Sequence, residues 1–244
     1  EIAAARGVDP HTLVESPGKH NAFSTPMEMM AFIAKLRDAS GGKPVGIKLC
    51  YGRHKDFKEL CKAIKESGTG PDFIVIDGGE GGTGAAPIEF SNSIGSPLKG
   101  GLAQAVNFLI EYGIRDGIKV GASGKILTAF HMARAMALGA DFCYSARGMM
   151  LSLGCIQALI CNTNKCPVGV TTQDPSLTVG LVVADKKQRV ANFHDETMHA
   201  LAEILAAAGL KHPDELNRKH ILRRTSMMEV RSYDQIFPYP GHDV

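Results

Sequence analysis

Three cysteines stand close together in the stretch Gly154-Cys155-Ile156-Gln157-Ala158-Leu159-Ile160-Cys161-Asn162-Thr163-Asn164-Lys165-Cys166-Pro167-Val168-Gly169, spaced C-x5-C-x4-C and closed by Cys-Pro. Soft thiolates gathered in one excursion suit iron–sulfur or zinc, and Pro directly after a cluster cysteine recurs in ferredoxin-type runs. Three ligands leave one corner open, which favours a three-iron cluster over a closed structural zinc site. The competing reading is that these are inert buried cysteines.

Two small-residue turns point to phosphate. Gly121-Ala122-Ser123-Gly124-Lys125 lets the backbone approach a ligand closely, and its N–H groups offer an anion site. Ser145-Ala146-Arg147-Gly148 supplies a second wall, with the Arg147 guanidinium suited to bidentate contact with phosphate oxygens. Ser123, Gly124, Lys125, Ala146 and Arg147 are therefore candidate cofactor contacts. Lys48 interrupts an apolar strand, where an ammonium is costly unless it faces a site, and could stabilise negative charge on a reduced cofactor. The run Asp77 to Pro87 holds an unusual number of glycines, which suits left-handed backbone or close approach to a ligand. Glu80 and Thr83 are its polar contributors, and Lys48 and Glu80 the candidate catalytic residues.

The elements that must position these residues alternate along the chain. Strands are expected at Val45 to Leu49, Asp72 to Asp77, Ile118 to Ala122 and Ala140 to Tyr144, with helices at Phe57 to Glu66, Leu102 to Glu111 and Ile126 to Leu138. Upstream, Ser24-Thr25-Pro26-Met27-Glu28 carries the signals of a helix start. Such alternation predicts an α/β protein with a parallel sheet. Open and closed sheets share this local signature, but no strand is followed by Gly-x-Gly-x-x-Gly, and two phosphate turns on consecutive strand ends match the last two strands of a barrel. A complete barrel has eight strands and about 250 residues; the chain supplies about four, so it reads as the C-terminal half of a (β/α)8 TIM barrel with a C-terminal helical extension. The expected division is a partial barrel with its cysteine loop over residues 1–178 and an extension over 179–244. In the extension, Val179 to Val183 is expected to be extended, Lys186 to Ala208 a long amphipathic helix, and the tail irregular.

Composition narrows the partners. The chain has 244 residues, 44% hydrophobic, 21% charged and with net charge +2, so it lacks the basic footprint of a nucleic-acid binder. No window is long and apolar enough for a membrane span, and Glu1 to Arg6 is no signal sequence. The missing initiator Met points to an excised piece. Six cysteines, three of them in one excursion, point to a reducing, cytoplasmic setting.

From about Ser16 to Gln173 the chain resembles the flavin-binding synthase domain of glutamate synthase, especially the stand-alone FMN-binding glutamate synthase-like proteins. The resemblance rests on Ser16-Pro17-Gly18-Lys19-His20, Gly46-Ile47-Lys48-Leu49, Gly81-Gly82-Thr83-Gly84-Ala85, Ser123-Gly124-Lys125 and the cysteine block with Gln173. It implies a (β/α)8 barrel that binds FMN at its strand ends, with a [3Fe-4S] cluster on Cys155, Cys161 and Cys166. It implies further that electrons reach FMN through the cluster from an unidentified donor, and that hydride goes to 2-iminoglutarate, formed from 2-oxoglutarate and ammonia, giving L-glutamate. On this resemblance Lys48 contacts the flavin ring, Ser123, Gly124, Ala146 and Arg147 hold the phosphate, and Gly82 and Thr83 face flavin or substrate. Cys50-Tyr51-Gly52-Arg53-His54 departs from the Gly-Val-rich stretch of the larger enzymes. The catalytic cysteine of a glutaminase domain and the early barrel strands are also missing. Two other readings compete: a nucleotide-processing barrel using the same phosphate turns, and a half-barrel without cofactor that self-associates into a homo-oligomer through exposed apolar faces.

Overall fold

The computed structural model describes residues 2–14, 18–82, 86 and 89–241. After a short helix α1 (Ile2–Arg6), α2 (Pro26–Ala39) starts with a capping box in which Thr25 accepts the Glu28 N–H and Glu28 reaches back. Then follow β1 (Gly46–Cys50), α3 (His54–Ser67), β2 (Phe73–Asp77), α4 (Leu98–Glu111), β3 (Lys119–Ser123), α5 (Ala129–Ala137), β4 (Phe142–Tyr144) and α6 (Arg147–Ser152). The extension holds α7 (Pro175–Thr178), α8 (Val183–Ala207), β5 (Leu222–Arg224), β6 (Val230–Ser232) and α9 (Tyr233–Ile236).

Strands β1 to β4 form one parallel sheet in the order β1-β2-β3-β4. Sequential order without reversal is that of consecutive barrel units, whereas a doubly wound sheet reverses at a switch point. The chain is thus an α/β partial barrel, as expected. Alternation sends Ile47, Leu49, Ile74, Ile76, Val120 and Ala122 into the helix-covered core with Leu102, Leu109 and Ala133. The opposite face carries Lys48, Phe73, Val75, Asp77 and Phe142. There the Phe73 ring lies over Gly46 and the Phe142 ring over Gly121, and the two rings meet edge to face at 6.2 Å. This second face is open, with Tyr144 45% exposed.

The base of the sheet is fastened twice by one device. Asp72, just before β2, accepts the Val45 N–H at 2.7 Å and an Arg37 N–H at 2.8 Å. Asp141, just before β4, accepts the Val120 N–H at 2.7 Å and an Arg115 N–H at 2.8 Å. Both stand in Gly-x-Asp-Phe, at Gly70-Pro71-Asp72-Phe73 and Gly139-Ala140-Asp141-Phe142. An aspartate at a strand's entrance thereby fixes the register of its neighbour through a charge-assisted bond.

The extension departs from expectation. Val179 to Val183 is not extended: Val179 ends α7 and Val183 opens α8, because Asp174 caps a short turn that the apolar run merely continues. Nor is the tail irregular, since β5 and β6 pair as an antiparallel hairpin. Leu201, Leu205, Leu216, Ile221 and Tyr233 join the same core as the sheet. Arg218 locks the tail there. It is wholly buried, and its guanidinium donates to Phe237 O (2.6 Å), Pro238 O (3.0 Å), Ala103 O (3.3 Å) and Asn107 Oδ1 (2.8 Å), with the Tyr239 ring 4.0 Å away.

Two outcomes follow from these locks. Arg218→Ala, leaving buried carbonyls without donors and a cavity, is expected to lower the stability of the intact protein by about 3 kcal/mol and to open the tail to protease; a urea melt with unchanged midpoint would contradict it. The Arg37 guanidinium and the Val45 N–H hold the Asp72 carboxyl below its ordinary value. Its stabilising effect is therefore present at neutral pH and disappears as pH falls below about 4. Asp72→Asn should be less stable than the parent at pH 7, with the difference closing in acid; a constant difference across that range would refute the assignment.

Candidate functional site

Parallel register sets Cys50, Asp77 and Ser123 side by side at the C-terminal strand ends, with Tyr144 next to Ser123. The loops above them are stitched by backbone bonds: Tyr51 N–H to Asp77 O (3.4 Å), Gly78 N–H to Ser123 O (2.9 Å), Ser96 N–H to Tyr51 O (2.9 Å) and Gly79 N–H to Ser96 O (2.9 Å). A side chain at Gly79 would meet the Ile94 carbonyl at 2.8 Å. Part of the glycine richness is thus explained by loop-on-loop packing within the protein, beside the left-handed backbone or ligand contact that had been expected.

Lys48 points along this open face and pairs with Asp77, Nζ to Oδ2 2.9 Å. The other Asp77 oxygen, Oδ1, is buried and has no partner among the described residues. Cys50 stands beside them, its thiol pushed up by burial and by the carboxylates of Asp77 and Glu80. Glu80, expected as a catalytic carboxylate, accepts the Leu98 N–H on both oxygens (3.1 and 2.9 Å) and so caps α4. That cap also explains why α4 begins at Leu98, ahead of the expected Leu102: a carboxylate distant in sequence overrides the breaker signal of Gly100-Gly101. Gly82 is exposed with φ 88°, and Thr83 lies outside the described residues.

The two small-residue turns expected to hold phosphate are brought together. Ser123 is buried at 9% exposure, Gly124 has φ 130°, and a Cβ there would sit 3.1 Å from the Gly78 nitrogen. Lys125 adopts φ 51° and donates from Nζ to Asn92 Oδ1 at 2.9 Å. The Ser145 hydroxyl donates to Ile126 O at 2.8 Å, tying the second turn to the first. Ala146 precedes α6, whose first residue is the half-buried Arg147. One expectation needs correction: α5 begins at Ala129 under a Thr128 cap, not at Ile126, so the first turn does not run straight into its helix.

Helix α6 leads from Arg147 to the cysteine loop. It ends in a Schellman motif, Gly154 N–H to Leu151 O (2.9 Å) and Cys155 N–H to Met150 O (3.0 Å), so the cap itself sets Cys155. The Gln157 N–H points at the Cys155 sulfur at 3.4 Å. Gln157, Leu159 and Asn164 all take left-handed backbone angles, each at a cost of about 1–2 kcal/mol for an L-residue. Cys166 is buried, and its thiol is held down at about 7 first by the Thr171 N–H, with further bonds from Val168, the Thr171 hydroxyl and Val170 outweighing its burial. Among the described residues no three Cys, His, Asp or Glu side chains converge on a point for a single metal ion. N–H donors around a sulfur are the surroundings that iron–sulfur ligands have, and Cys155 and Cys166 have them.

Residue chemistry thus fits a phosphate-bearing cofactor: paired small-residue turns, an ammonium on the same face and an orphaned carboxylate oxygen between them. Sequence reading missed Asp77 as a site residue, although a terminal Asp on the apolar run Phe73-Ile74-Val75-Ile76 signals it. By contrast, a groove of about 470 Å³ between Arg37, Tyr112 and Ile118 lies at the opposite end of the strands and holds none of this chemistry.

Residues 1–211 match the family described as a conserved region in glutamate synthase. The chain is 44% identical over 236 residues to the glutamate synthase large subunit-like protein YerD of Bacillus subtilis, covering 97% of this chain and 45% of that protein. It is 32% identical over 217 residues to the archaeal glutamate synthase [NADPH] of Methanocaldococcus jannaschii, covering 88% of this chain and 42% of that protein. Among solved structures a looser likeness, TM-score 0.45 at 12% identity, covers 75% of this chain and 37% of a flavocytochrome b2. The chain spans less than half the length of the curated relatives named here. With the family match running through the sheet, both phosphate turns and the cysteine block, the chain belongs to the glutamate synthase family.

Proposed function

We propose that this chain is the C-terminal half of an FMN and [3Fe-4S] oxidoreductase of glutamate synthase type, which reduces 2-iminoglutarate, formed from 2-oxoglutarate and ammonia, to L-glutamate. The single observation that carries the reading is helix α6, one short rigid rod with Arg147 of the phosphate turn at its start and Cys155 set by its end cap. Phosphate turn and first cluster ligand are thereby held by the same element.

When bound, the flavin supplies hydride transfer and the cluster relays single electrons from a donor. The residues of this chain do the rest. Backbone N–H groups at Ser123, Gly124 and Ala146, with the Arg147 guanidinium, hold the phosphate. Lys125, fastened to Asn92, keeps the first turn in its left-handed shape. Lys48 places positive charge where negative charge accumulates on a reduced ring, oriented by Asp77. Gly82 and Thr83 face ring or substrate, and Glu80 sets the loop that carries them by capping α4. Cys155, Cys161 and Cys166 are the cluster ligands.

Residues 1–178 are assigned to the barrel and 179–244 to an extension that buttresses it. The free edge of β4 and the open face with Lys48 are where the remaining barrel strands would complete the site. The relatives' names carry both NADPH and ferredoxin, and the donor to this chain is assigned no identity. All six cysteines are free, which suits a reducing, cytoplasmic compartment, and no helix among the described residues is long and apolar enough to cross a membrane.

The intact protein is expected to carry one FMN and three irons per chain, and Cys161→Ser should lose the iron while keeping the flavin. Iron retained at full occupancy in that variant would remove the cysteine block from the cluster. Lys48→Met should bind flavin yet lose about 100-fold or more in turnover, read by steady-state glutamate formation; turnover within a few-fold of the parent would take Lys48 out of the chemistry.

A further inference from the structure

Helix α8 turns one row of side chains inward, Lys186, Val190, Phe193, Thr197, Leu201 and Leu205, each of them buried or half-buried. Phe193 of this row lies against Gly148 in α6. Two turns earlier the same row holds a cation where an apolar side chain would serve the packing. The Lys186 side chain is only 17% exposed, and its carboxylate neighbour, Asp185 at 3.6 Å, is 60% exposed. Its place in the first turns of α8 also sets it against the helix dipole, which favours anions there. Both features cost stability, so the position calls for negative charge nearby. The ammonium stands at the end of α6: a Cβ on Gly154 would lie 3.5 Å from Lys186 Nζ and 3.7 Å from Arg189 Nη1.

The carbonyls at that end do not need these cations. Leu151 O and Met150 O accept the N–H groups of Gly154 and Cys155, and Met149 O accepts the Leu153 N–H and the Ser152 hydroxyl. What begins there is Cys155, the first of the three thiolates. A cluster on Cys155, Cys161 and Cys166 is a net anion, and it gains one further negative charge when it takes an electron. Positive charge close by favours the reduced form and so raises the reduction potential. We propose that Lys186 and Arg189 are the extension's contribution to the redox chemistry: they hold positive charge against the cluster and raise its potential, so that it draws electrons from the donor. Electrons enter from the donor and leave to the flavin singly, two for each flavin reduced, and no bond in the protein is made or broken. The inference rests on the cluster reading above.

The test is a redox titration of the intact protein, with the cluster followed by electron paramagnetic resonance and the flavin by absorbance. Lys186→Met, which keeps the bulk of the side chain and loses its charge, should weaken cluster reduction about tenfold, a shift of about 59 mV to lower potential for one electron. Arg189→Gln should shift the midpoint the same way by less, because Arg189 is more exposed. Lys186→Arg should keep the parent's midpoint, as should Lys187→Met on the exposed side of α8. The flavin midpoint should hold in all four variants, while iron analysis and thermal melts check that each is loaded and folded. A cluster midpoint unchanged in both Lys186→Met and Arg189→Gln, an equal shift in Lys187→Met, or a shift shared equally by flavin and cluster would each overturn the proposal. Should Lys186→Met lose its iron, Arg189→Gln decides alone, and an unchanged midpoint there overturns it. A parent without iron would instead overturn the cluster reading.

Discussion

Parallel register is the constraint from which the chemistry of this chain descends. Because each strand is entered through a fixed pairing, with Asp72 holding Val45 and Asp141 holding Val120, the far ends of the strands finish level. Cys50, Asp77 and Ser123 then stand in one row. A slip of one residue would turn Lys48 and Asp77 into the helix-covered core and send Ile47 and Ile76 to the open face. The ion pairs at the base and the chemistry at the top are thus two ends of one geometric fact.

Helix α6 extends that order beyond the sheet. It begins where the second small-residue turn is tied to the first through Ser145, and it ends in a cap that fixes the first cysteine. Past this point the loop holds itself by left-handed residues and by bonds such as Thr172 Oγ to Asn164 O. The folding cost of that backbone makes sense if the sulfurs are being presented for binding. The extension contributes support of another kind: Phe193 of α8 packs against Gly148 inside α6, and Arg218 clamps the tail to α4.

Much of this was legible in the residues. Short apolar runs between helices gave all four strands of the parallel sheet within two residues of their bounds, and the small-residue turns were found because tight backbone needs Gly, Ala or Ser. What escaped notice depended on partners distant in the chain. That Glu80 caps a helix is seen only once Leu98 is placed beneath it, and Gly100-Gly101 looks like a break until that same carboxylate starts the helix before it. Asp77 looks like the plain end of a strand until register sets it between Cys50 and Ser123, within reach of Lys48. The tail's hairpin has strands of only three residues, too short for alternation to show, and its order comes from Arg218 and Tyr233 reaching the core.

The central claim is that one helix holds a flavin phosphate at its start and an iron cluster at its end. Diffraction from crystals of the intact protein, with anomalous data at the iron edge, tests it most directly. The account predicts phosphate density against Gly124 and Arg147 and iron density bonded to Cys155, Cys161 and Cys166, separated by about 9 Å of helix. Iron bound elsewhere, or a phosphate lying away from those two turns, would contradict it.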